Sequence, residues 1–68
     1  MIDITSGNPR LIMRVQWRNG KAGKSNTIDA RRWFQSDAGE WIPTRKGLCC
    51  APEQWDKVIA AVNQLRGV

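Results

Sequence analysis

Cations and aromatic rings are the side chains of this sequence with chemistry to offer. Eleven lysines and arginines stand against six acids, a net charge of +5. Trp17, Trp33, Phe34, Trp41 and Trp55 supply the rings. The positive surplus is uneven. Arg10, Arg14, Arg18, Lys21, Lys24, Arg31 and Arg32 fall in one stretch with a single acid, Asp29, whereas from Ala51 onward two basic residues face two acids. A one-sided excess of this kind suits polyanions; the plainer reading is a solvated basic face that aids solubility. Lysine and arginine contact phosphates, and ring faces stack on unpaired bases at roughly 1–3 kcal/mol per base.

Catalysis needs a nucleophile with a base, a carboxylate pair or a metal cluster. The chain has no histidine. Cys49 and Cys50 are adjacent, point to opposite faces of a strand and have no evident base, so they read as small structural or surface residues. Asp37 and Glu40 flank a turn and solvate it. Gly23-Lys24-Ser25 matches part of a phosphate-binding loop, but the upstream glycine is missing and no helix follows. Neither an enzyme, a metal site nor a cofactor is expected.

These residues need elements to position them. Residues 1–9 end in turn formers and read as a flexible N-terminal arm, although Ile2 and Ile4 have the spacing to pair. Leu11 to Arg18 alternates, with Leu11, Met13, Val15 and Trp17 on one face and Ile12, Arg14, Gln16 and Arg18 on the other, the pattern of a half-buried strand. Asn19 to Asn26 is a turn segment, and a second strand runs from Thr27 to Gln35. Ser36 to Gly39 turns. Glu40 to Pro43 is a short third strand, Thr44 to Gly47 turns again, and Leu48 to Cys50 is a brief fourth. Pro52 and Glu53 suit the first turn of a helix, though Ala51 is a poor cap. Trp55, Val58, Ile59, Val62 and Leu65 form one apolar stripe, and Gly67 suits the end of the helix.

The rings sort by this pattern. Trp17 falls on the apolar face of its strand and reads as core. Trp55 reads as core or subunit interface. Trp33 and Phe34 are neighbours, so one faces inward and the other is a candidate for stacking; the orientation of Trp41 is open. A chain of 68 residues makes one domain, here residues 10–68. Domains below roughly 70–80 residues usually need a staple or a partner. Adjacent cysteines cannot staple this one, so a homodimer is expected. No run of about 18 apolar residues is present and no signal peptide is evident, which points to the cytoplasm with both thiols reduced.

Ile28-Asp29-Ala30-Arg31 leads into Trp33-Phe34, then come Gly39-Glu40, Pro43-Thr44-Arg45-Lys46-Gly47-Leu48 and Pro52-Glu53-Gln54-Trp55. In these segments the chain resembles the positive cofactor 4 family of single-stranded-DNA-binding transcriptional coactivators, in a compact bacterial or phage-type form. The resemblance implies an α+β fold, a strongly curved four-stranded antiparallel sheet followed by one C-terminal helix, paired as a homodimer around grooves for unpaired strands. Carried over by position, Arg31 corresponds to a nucleic-acid-contacting arginine and Phe34 to a stacking aromatic. Arg45 and Lys46 correspond to a basic pair, Arg18 to a strand arginine, and Lys21 and Lys24 to hairpin lysines. The family's stacking ring in that hairpin has no counterpart here, since Gly20 or Ala22 stands near its place. Trp17 replaces it only if its side chain faces outward. Strict alternation also puts Arg31 and Phe34 on opposite faces, which a twist or bulge would have to reconcile.

The sequence therefore reads as a sequence-nonspecific single-stranded-DNA-binding module that supports transcription, replication, recombination or repair. Its partners would be single-stranded DNA or RNA, a second copy of itself, and transcription or replication machinery. Two alternatives stand beside this reading: an RNA-binding protein, and a small adaptor docking on a polymerase or phage complex.

Overall fold

The computed structural model describes residues 1–67. Four strands, β1 (Ile2–Thr5), β2 (Leu11–Arg18), β3 (Thr27–Gln35) and β4 (Trp41–Cys50), form one open antiparallel sheet in chain order, and a single helix, α1 (Pro52–Arg66), follows. The fold class is the expected one: four antiparallel strands in a curved sheet, then one C-terminal helix.

Two of the four strands differ from those expected. Residues 2–5, read as part of a flexible arm, pair with β2 through Ile2 opposite Val15 and Ile4 opposite Met13. The two isoleucines join the apolar face of β2, and Asp3 meets Arg14 on the other face. The second difference lies in β4. Thr44 to Gly47 is not a turn between two short strands, because Trp41–Cys50 is continuous. Its register against β3 jumps from Arg31 opposite Gly47 to Trp33 opposite Pro43. Thr44, Arg45 and Lys46 therefore stand opposite Arg32 alone, in a wide bulge.

Cross-strand partners share a face, so the register divides the sheet. One face carries Ile2, Ile4, Leu11, Met13, Val15, Trp17, Ile28, Ala30, Phe34, Ile42, Leu48 and Cys50, with Arg32 among them. The helix lies against this face. Trp55 Nε1 donates to the Ile28 carbonyl at 2.7 Å, and Trp55 and Ile59 line an apolar cleft with Ile4, Val15, Ile28 and Ala30. The opposite face carries Asp3, Ile12, Arg14, Gln16, Arg18, Asp29, Arg31 and Trp33.

The protomer is a thin plate, 42 × 37 × 18 Å. Its radius of gyration is 14.1 Å, against about 11 Å for a compact chain of this length. Among the described residues Ile12 is the only buried apolar side chain, 7% exposed, and no helix residue is buried. A compact monomer of 7.7 kDa exposes about 4,300 Å², but this protomer exposes 5531 Å². The apolar face is thus only partly covered by the chain's own helix.

Helix α1 begins as the sequence suggests, with proline in its first turn, Glu53 beside it and no side-chain bond from Ala51. Gly67 ends it, donating its N–H to the Asn63 carbonyl at 3.0 Å. The turn between β3 and β4 closes through Gly39, whose φ of +86° belongs to the left-handed region that glycine enters freely.

Gly47 has a different task, close approach. A Cβ there would meet the Ala30 carbonyl oxygen at 2.6 Å and the Arg31 Cα at 2.7 Å, so glycine lets β4 press against β3 where the bulge ends. Overpacking of this kind typically costs about 1–3 kcal/mol. Gly47→Ala is expected to lower stability by that amount in urea unfolding, and an unchanged midpoint would mean that β4 can retreat without loss.

Candidate nucleic-acid interface

Alternation along β2 and β3 brings cations and one acid to the same face. Asp29 is at its centre and is 1% exposed. A carboxylate withdrawn from water is tolerated only with charged or hydrogen-bonded partners, and here arginine provides them. Arg31 Nε and Nη2 donate to Asp29 Oδ2 and Oδ1 at 3.3 and 3.1 Å, and Arg18 Nη2 stands 3.8 Å from Oδ2. Arg31 Nη1 also donates to the Thr44 carbonyl at 2.9 Å. Its guanidinium fork is therefore fixed in direction before any ligand arrives. The trio of Arg18, Asp29 and Arg31 carries one net positive charge.

Beyond this trio lie two exposed basic pairs. Arg45 and Lys46 sit on the β4 bulge, beside the carbonyl that holds Arg31. Lys21 and Lys24 sit in the turn beyond the end of β2, where the Lys24 N–H donates to the Lys21 carbonyl at 3.1 Å. Ala22 and Gly23 between them have φ of 52° and 82°, a tight hairpin reversal with positive φ at both central positions. The structure thus joins Arg18 to Arg31 through Asp29, and Arg31 to the Arg45–Lys46 bulge through Thr44. Lys21 and Lys24 extend the basic surface at the hairpin end.

Phe34 is not with them. It pairs with Leu11 and Ile42 on the apolar face, 38% exposed. The bulge anticipated between Arg31 and Phe34 exists, but its extra residues are in β4, so β3 alternates without interruption and keeps the two on opposite faces. The rings that share the face of Arg31 are Trp33 and, opposite Gln35, Trp41; Trp33 is half-buried beneath Arg14, whose guanidinium lies 4.6 Å from the ring centroid. Trp17 is on the apolar face as the alternation indicates, but it is not core: it is 55% exposed, and its Nε1 donates to Asn19 Oδ1 at 2.9 Å. The helix that covers Ile28 leaves Trp17 bare. Trp41 is half-buried at the start of β4, opposite Gln35.

Arg14, the cross-strand partner of Arg31, is taken up by Asp3 instead. Its Nε and Nη2 donate to Asp3 Oδ1 and Oδ2 at 2.8 and 3.1 Å, and its side chain is 13% exposed. The hydrogen bond from Arg14 lowers the Asp3 carboxyl below its ordinary range and raises the guanidinium in turn. Cys49 is exposed and Cys50 half-buried, both as free thiols; burial pushes the Cys50 thiol up, and the neighbouring Cys49 adds to this. Among the described residues no three metal-ligating side chains cluster, and no helix is long and apolar enough to cross a membrane.

Asp29, Thr44 and the Asp3–Arg14 pair are the organising residues that sequence reasoning missed. Asp29 had a signal: two residues before Arg31 on a strand is the same face. Thr44 and Asp3 had none, since their partners belong to other strands.

Residues 7–61 match the family model of Transcriptional Coactivator p15 (PC4). The chain belongs to the PC4 family. PC4 proteins are nucleic-acid-binding transcriptional coactivators and not enzymes. The PC4 match covers β2, β3, β4 and most of α1, while β1 lies outside it. Neither a curated protein nor a solved structure matches the chain.

The Asp3–Arg14 pair gives a pH dependence of known sign. A carboxyl whose pKa is depressed by folding contributes stability above the ordinary carboxylate range and loses it as pH falls through the lowered value. An NMR titration of the Asp3 carboxyl carbon is expected to give a midpoint below the ordinary 3.8, and Arg14→Gln to bring it back. A wild-type midpoint at the ordinary value would mean that β1 is not clasped in solution.

Proposed function

We propose that this PC4-family chain binds single-stranded DNA with little sequence preference, as a homodimer, in support of transcription in the cytoplasm of a bacterial or phage-infected cell. The observation that carries this reading is the fixed Arg31 fork, set on the polar sheet face between the exposed Arg18 and the exposed Arg45–Lys46 bulge. Phosphates bind to Arg18, Arg31, Arg45 and Lys46, and the strand continues toward Lys21 and Lys24. Condensed counterions leave as these contacts form, which supplies most of the affinity. Phe34 is the stacking ring of this scheme. It lies on the other face, and β4 is an edge strand, so one strand reaches both by passing over the β4 edge at the bulge. Single strands are preferred because only unpaired bases present open faces to a ring.

Association follows from the exposed apolar face. Ile59, Val62 and Leu65 are 54%, 48% and 77% exposed, and Ile4, Leu48 and Trp17 extend the same surface. The area beyond that of a compact monomer, about 1,200 Å², exceeds the roughly 800 Å² per partner of a standard interface. A second copy that covers the helix stripe supplies the missing core.

Oligonucleotide binding and self-association both test the reading. With about five phosphates neutralised at roughly 0.7 per phosphate, the slope of log K against log salt is expected near −3 to −4 for a single-stranded oligonucleotide, with much weaker binding of the matched duplex. Arg45→Ala with Lys46→Ala should weaken binding at least tenfold in an anisotropy titration while the circular dichroism stays the same; unchanged affinity would remove the site, and a matched RNA that competes better than DNA would redirect the function. In sedimentation at micromolar concentration the chain is expected as a dimer whose thermal midpoint rises with concentration. Val62→Asp should dissociate or unfold it, and a monomeric wild type of full stability would rule out the dimer.

A further inference from the structure

We infer that Thr44 is a positioning residue that sets the Arg45–Lys46 pair against Arg31 and so makes them a single phosphate-binding unit; this rests on the nucleic-acid reading above. A bulge leaves backbone groups without ladder partners, and here the three residues Thr44, Arg45 and Lys46 stand opposite Arg32 alone. The Thr44 side chain takes the place of the missing ladder. Its Oγ1 donates to the Arg32 carbonyl at 2.7 Å and accepts the Lys46 N–H at 3.2 Å, the donor-plus-acceptor pattern that a hydroxyl can supply and an aliphatic side chain cannot. Its own carbonyl accepts Arg31 Nη1 at 2.9 Å.

One residue therefore bonds to the strand opposite the bulge, to the amide of a bulge cation and to the arginine that Asp29 orients. The bulge conformation and the direction of the Arg31 fork are fixed by the same side chain and peptide. Without the hydroxyl the cations remain on the surface with their charge intact, but nothing holds their spacing from Arg31. The cost falls on the number of phosphates engaged at once rather than on total charge.

The test is a mutant cycle on the intact chain, read by anisotropy with a single-stranded oligonucleotide at several salt concentrations and by thermal unfolding. Thr44→Val is expected to weaken binding roughly three- to tenfold, the scale of one or two lost hydrogen bonds, and to flatten the salt slope. Thr44→Ser, which keeps the hydroxyl, should bind as the wild type. In the Arg45→Ala, Lys46→Ala background Thr44→Val should change affinity less than about twofold, because the unit it positions is gone. Wild-type affinity and slope in Thr44→Val, or an equal loss in both backgrounds, overturns the inference and leaves the interface standing. Unchanged binding by Arg45→Ala, Lys46→Ala overturns the interface and the inference together. If Thr44→Val fails to fold, amide exchange in the wild type decides: the Lys46 N–H should be protected although it lies in a bulge, and rapid exchange there overturns the proposal.

Discussion

A carboxylate removed from water dictates the layout of the polar face. Asp29 is surrounded by sheet, and an unpaired charge in that position would cost several kcal/mol. The sheet meets this demand with Arg31 from the same strand and Arg18 from the next. Arg31 then reaches across to β4 through the Thr44 carbonyl. Three strands are thus linked by one buried acid, and two arginines that would otherwise sweep freely are held on the surface. Electrostatics that look like a stability device also preorganise a cationic site, which is where the PC4 family assignment and the geometry meet.

The other face obeys a different constraint. A sheet of four short strands with a single helix cannot enclose its own apolar side chains. The plate is 18 Å through at its thinnest. Its apolar residues form a continuous surface, with the helix covering Ile28 and Ala30 and leaving Trp17, Phe34 and Leu48 open. Polar groups are organised within the protomer while apolar groups are left for something else to cover. Such a division suits a subunit whose charged work is done alone and whose packing is shared.

Much of this was legible in the sequence, because the informative patterns are local. The limits of β2 and β3, the helix start at Pro52 and the inward Trp55 follow from alternation, from proline's missing donor and from the stripe of three- and four-residue spacings. What was illegible depends on partners far along the chain. Ile2 and Ile4 are too few to announce a strand, and the Asp3–Arg14 pair that clasps it links residues from two elements. Thr44-Arg45-Lys46-Gly47 has the chemistry of a turn, and only the Arg32 carbonyl opposite makes it a bulge within one strand. Trp17 shows the limit most plainly. Its face was readable but its exposure was not, because exposure depends on what the helix covers.

The strand order carries a kinetic consequence. β1 to β4 are neighbours in sequence as well as in space, so the sheet can grow hairpin by hairpin, and no crossover has to wait for distant parts of the chain to meet. Loop closure is then cheap at every step, and topologies of this local kind reach their native pairings quickly. In the dimer proposed above, the slow event would be the collision of two half-finished plates, and how fast it matures would be set by how many copies share the same volume.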